Sequence, residues 1–78
     1  MRPVMVGAAD CPKCRQAKAA LQARGLWPEI DYVETGSAEG RRLAAEYGQD
    51  RLPFYVLDGK AYAYTGEIMR ILEERRER

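Results

Sequence analysis

The spacing of apolar positions changes along the chain, and each change marks an element. Residues 3 to 8 (Pro3-Val4-Met5-Val6-Gly7-Ala8) are apolar without a break, the pattern of a central strand buried on both faces. Between Pro12 and Arg24 the period becomes helical. Cys14, Ala17 and Leu21 share one face, Arg15, Lys18 and Gln22 another, and Gly25 is placed to end the helix in a left-handed conformation. Trp27-Pro28 is expected to be extended, because proline restricts the residue before it, with the indole packed over the helix end. Glu29-Ile30-Asp31-Tyr32-Val33-Glu34 alternates charged and apolar residues, which predicts an outer strand with one wet face. A right-handed crossover through the helix makes it parallel to the first strand.

Thr35-Gly36-Ser37 turns the chain, and Ser37 offers an N-cap to a second helix over Ala38 to Tyr47. That helix points Leu43, Ala44 and Tyr47 inward, turns Arg41 and Arg42 to solvent and stops at Gly48. Leu52 to Leu57 and Ala61 to Tyr64 are β-prone runs around Asp58-Gly59, a hairpin signature. Pro53 has no amide to give a ladder and so belongs at the strand start. Thr65-Gly66-Glu67 opens the last helix, with Ile68, Ile71 and Leu72 as its core stripe. The terminal run Glu73 to Arg78 reads as a frayed, solvated end. The element order is β-α-β-α-β-β-α in one domain, residues 1–78.

Composition narrows the function classes. At 78 residues there is room for one small core and no second domain. Thirteen basic against twelve acidic side chains leave a net charge of +1, and the signs are mixed along the chain. Neither nucleic acid nor an anionic membrane is expected as the main partner. No apolar run approaches the ~20 residues of a membrane span. Two cysteines one turn apart are not the framework of a disulfide-rich secreted fold, and Met1 to Gly7 lacks the apolar core of a signal peptide, so a cytoplasmic location is expected.

The candidate chemistry sits in Cys11-Pro12-Lys13-Cys14, where the first strand hands over to the first helix. A cysteine reacts as thiolate, and with a pKa near 8.5 only about 3% is ionised at pH 7. With Cys11 as the cap and Pro12 as the first helical residue, the free amides of Lys13 and Cys14 point back at the Cys11 sulfur. The helix dipole supplies at most ~2 kcal/mol, so a larger shift needs those amides, the Cys14 thiol and the Lys13 ammonium. Asp10 opposes it. The chain has no histidine, which rules out a Cys–His base. A three-residue separation puts the two Cα atoms within the ~5–6 Å of a disulfide, and a ring so short adds little to stability. That suits a bond made and broken in turnover more than a static bridge or half of a metal site.

Taken in order, the Cys11-Pro12-Lys13-Cys14 motif, the Leu52-Pro53 step, the Asp58-Gly59 hairpin and the Gly66-Glu67 helix start resemble the glutaredoxins, small members of the thioredoxin-fold family, over essentially the whole chain. The resemblance implies a thioredoxin-like α/β fold, with a central four-stranded mixed sheet and helices on both faces. It makes Cys11 the nucleophile, Cys14 the resolving thiol and Pro12 their support. Pro53 would be a cis-proline beside them, and Lys13, Leu52, Pro53, Gly66 and Glu67 would bind substrate or glutathione. The activity implied is thiol–disulfide oxidoreduction by a monomer on protein or glutathione mixed disulfides. No metal or other bound cofactor is needed, and glutathione enters as a co-substrate.

Three positions depart from the glutaredoxin pattern. Ala8 stands where many glutaredoxins carry a lysine, Lys13 where they carry an aromatic, and Ala63-Tyr64 where they carry a Gly-Gly pair. Lys13 or Arg51 is the candidate replacement cation. Tyr64-Thr65-Gly66 resembles the aromatic-Ser-Gly of redoxins that serve ribonucleotide reductase and draw electrons from thioredoxin reductase, so the electron source is either glutathione or that reductase. Two further readings are an iron–sulfur or metal carrier, which needs a dimer because two cysteines cannot close a tetrahedral site, and a non-catalytic interaction module.

Overall fold

The computed structural model describes residues 2–76. Its elements are β1 (Val4–Gly7), α1 (Pro12–Ala23), β2 (Asp31–Glu34), α2 (Ala38–Tyr47), β3 (Phe54–Leu57), β4 (Lys60–Tyr62) and α3 (Thr65–Arg76). The sheet is mixed, in the order β2-β1-β3-β4. Parallel pairing of β1 with β2 sets Val4 opposite Asp31 and Gly7 opposite Glu34, and antiparallel pairing of β1 with β3 sets Met5 opposite Tyr55. The expected order, the outer position of β2 and the central position of β1 are all present.

Alternation along the strands divides the core between two faces. Met5, Tyr55 and Leu57 meet Cys14, Ala17 and Leu21 of α1 and Ile68 and Leu72 of α3. Val6 and Phe54 meet Leu43 of α2, with Val33, Ala44 and Tyr47 around them. Two helices therefore cover one face and one covers the other. The helix ends follow their chemistry. Ser37 Oγ accepts the Gly40 amide at 3.0 Å, Gly48 closes α2 at φ 62°, and Gly25 follows α1 at φ 70°. Asp58 and Gly59 carry the two positive φ angles, 52° and 77°, that a two-residue hairpin turn demands.

Four expectations are corrected. Trp27-Pro28 is not extended but lies in a 3-10 turn, Trp27–Glu29. Bonds from Glu29 N to Leu26 O (2.9 Å) and from Ile30 N to Trp27 O (3.0 Å) close that turn and outweigh the bias before proline, letting Leu26 and Ile30 into the core. The outer strand consequently begins at Asp31 rather than Glu29. The fourth strand ends at Tyr62, because Ala63 and Tyr64 carry the chain over to α3. The terminal charges do not fray: α3 is helical to Arg76, Glu73 pairs with Arg24 at 3.1 Å, and Arg76 pairs with Glu29 at 2.7 Å while donating to Gly25 O. Glu77 and Arg78 lie outside the described residues.

Candidate active site

The site is built on the start of α1. Cys11 is its N-cap, at φ −92° and ψ 116°, with Pro12 in the first turn. The Cys11 carbonyl accepts from Arg15 N at 3.1 Å, and its sulfur accepts the Cys14 amide at 3.2 Å. Both cysteines are free, Cys11 partly exposed and Cys14 buried. Their environments drive their acidities apart. The Cys11 pKa is lowered, first by the Cys14 side chain, whose thiol donates to the Cys11 thiolate, and then by the Cys14 amide. The Lys13 amide adds to this, while desolvation and the Asp10 charge oppose it. The expected Lys13 ammonium is not among the causes; its main chain does the work. Cys14 is pushed up to about 11, first by burial and then by its hydrogen bond to Cys11. The surroundings favour the thiolate at Cys11 and the thiol at Cys14.

The Leu52-Pro53 peptide is cis. It forms one wall of a groove of about 470 Å³ that includes Lys13, Gln16, Arg51, Leu52, Pro53, Tyr64 and Thr65. Of the residues expected to bind substrate, Lys13, Leu52 and Pro53 are brought together here. Gly66 and Glu67 sit in the first turn of α3, exposed, and do not line the groove. Thr65 lines it instead, held by a 2.8 Å hydrogen bond to the hydroxyl of buried Tyr55. Nothing in the local sequence marks that contact, since its partners lie ten residues apart on different elements.

A second cavity, about 330 Å³, opens on the other side of the α1 start, among Cys14, Lys18, Trp27, Tyr32 and Glu34. Trp27 packs against the core, carries the Lys18 ammonium 5.2 Å above its ring and stands 6.1 Å from the Tyr32 ring. Tyr32 donates to Glu34 Oε2 at 2.9 Å. Gly7 lets this wall come close: a Cβ there would lie 3.2 Å from Cys14 Sγ and 3.3 Å from the Tyr32 ring.

The arrangement pairs a capped, activated thiol and a buried partner thiol with a cis-proline groove, and comparison with known proteins agrees with it. The family model of the glutathione S-transferase N-terminal domain matches residues 5–78. The crystal structure of a mutant thioredoxin-like protein superposes with a TM-score of 0.72 at 23% identity, covering 91% of this chain and 99% of that one. A solution structure of a thioredoxin from Thermus thermophilus gives 0.58 at 22% identity, covering 94% and 72%. Among curated proteins, none matches. Family and fold are consistent with thiol chemistry in general. The chain belongs to the glutathione S-transferase N-terminal-domain family and has the thioredoxin-like fold.

Proposed function

We propose that this protein is a dithiol–disulfide oxidoreductase that reduces protein or glutathione mixed disulfides through Cys11 and Cys14. The observation that carries the reading is the Cys11 sulfur, which accepts a main-chain amide at the cap of α1, the helix whose Lys13 and Gln16 line a groove walled by the cis Leu52-Pro53 step.

The Cys11 thiolate attacks one sulfur of the substrate disulfide. A Cys11–substrate mixed disulfide forms and the other substrate sulfur leaves as thiolate. Cys14 then gives up its proton to solvent and attacks Cys11 Sγ. The Cys11–Cys14 disulfide forms and the second substrate sulfur leaves, so the substrate gains two electrons that the cysteine pair loses. Once Cys11 is in the mixed disulfide it no longer holds the Cys14 thiol as donor or repels its charge, two of the causes that raise the Cys14 pKa. Forming the first bond therefore eases the second step. Two equivalents of glutathione, or thioredoxin reductase, return the pair to dithiol, and no other cofactor takes part.

Turnover of a glutathionylated peptide tests the reading. C11S is expected to abolish it, while C14S keeps the first attack and accumulates the mixed disulfide on Cys11. Normal turnover by C11S would refute it. Supplying oxidised protein with glutathione or with thioredoxin reductase identifies the electron donor.

A further inference from the structure

Most cations of this chain are already engaged. Arg2, Arg24, Arg42 and Arg76 form ion pairs, and Arg15 and Arg41 donate to main-chain carbonyls. Lys18 and Lys60 lie over aromatic rings, and Arg75 also has a partner. Among the described residues this leaves Lys13, Arg51 and Arg70 without one. Two of these three, Lys13 from the first turn of α1 and Arg51 from the loop before β3, line the cis-proline groove, and no aspartate or glutamate lines it with them.

An unpaired cation on a surface is ordinary; two lining one groove with no acidic residue among its walls make that groove positive. The Lys13 charge is not spent on Cys11, whose acidity draws on the Lys13 amide instead. The groove is also lined by Tyr64, which is 69% exposed and gives an apolar contact apart from the two cations. We propose that this groove docks an acidic, disulfide-bearing protein segment, with Lys13 and Arg51 receiving carboxylates that flank the disulfide and Tyr64 packing on its apolar part. The inference rests on the oxidoreductase reading and adds the substrate's charge to it.

The test compares two disulfide-bonded peptides that differ only in carrying glutamates or glutamines on both sides of the cystine. At low ionic strength kcat/KM for the acidic peptide is expected to exceed that for the neutral one by about tenfold. The gap should close in about 1 M salt and shrink in K13Q/R51Q, while R70Q keeps it. Equal rates on the two peptides in wild type, or a K13Q/R51Q loss that is the same for both, would overturn the proposal. Binding of the same peptides to C11S separates this failure from that of the parent reading. If neither peptide is reduced but the acidic one binds C11S more tightly, the docking surface stands and the oxidoreductase falls; equal binding removes the surface. A gap between oxidised glutathione and its esters with none between the peptides would assign the cations to a small thiol and overturn the protein segment.

Discussion

At the residue scale, two chemically identical thiols are made unlike by position alone. Cys11 caps the helix and collects donors; Cys14, a turn further, is 3% exposed and is pushed up to about 11, chiefly by burial. Limiting iodoacetamide at neutral pH should therefore modify one thiol quickly and leave the other until the protein unfolds or the pH nears that value, and mass spectrometry of the peptides checks this. Modification of both at similar rates would contradict the asymmetry. This much was legible in the sequence, because Cys-Pro at a strand-to-helix junction dictates which sulfur faces the free amides. The source of the charge stabilisation was less so. The Lys13 ammonium is one of the expected contributors, but Lys13 lines the groove and the shift comes from Cys14 and the main chain.

At the element scale, α2 approaches β2 through a contact only glycine permits. A Cβ on Gly40 would run into the carbonyl of Glu34 and the Cα of Thr35, both main chain and unable to move aside. Gly40→Ala should cost about 1–3 kcal/mol, read as a lower urea midpoint with an unchanged slope; a midpoint within error of wild type would show that the helix can shift. The Tyr55–Thr65 hydrogen bond joins β3 to the start of α3 beside the groove. Y55F should lose about 1 kcal/mol and slow substrate reduction without moving the Cys11 titration; an unaltered melting midpoint would refute its structural part. Neither contact was legible, since a helical glycine reads as a mere weakness and a tyrosine in an apolar run as mere bulk. Trp27-Pro28 misled for a related reason: the proline rule describes one residue's preference, whereas the turn is decided by two hydrogen bonds and the burial of Leu26 and Ile30 on either side.

At the scale of the molecule, element order and core stripes followed from periodicity and the four-stranded mixed sheet from the family resemblance, while the ties between distant ends followed from neither. Arg24–Glu73 and Arg76–Glu29 fasten the end of α1 and the turn after it to the last helix. All four side chains are between a third and about half exposed, so each pair contributes about 0–1 kcal/mol and should weaken with salt. Alkaline pH acts on the whole fold through Cys14. Its folded pKa is raised, so the stability it contributes is full below the ordinary thiol value and is lost as pH climbs towards about 11. Tyr32, raised to about 12 by burial and its bond to Glu34, continues that loss at higher pH. Urea midpoints for wild type should fall across this window and fall less for C14S; parallel curves would show that Cys14 contributes nothing to the decline.

The most direct test is the alkylation rate of Cys11 against pH, for wild type and C14A. The wild-type midpoint is expected below that of an ordinary cysteine, and the C14A midpoint should rise part of the way back, since the Cys14 thiol is lost while the amides of residues 13 and 14 remain. A wild-type midpoint at the ordinary value, or one that C14A leaves unmoved, would contradict the claim that Cys11 is held as thiolate by the turn that follows it.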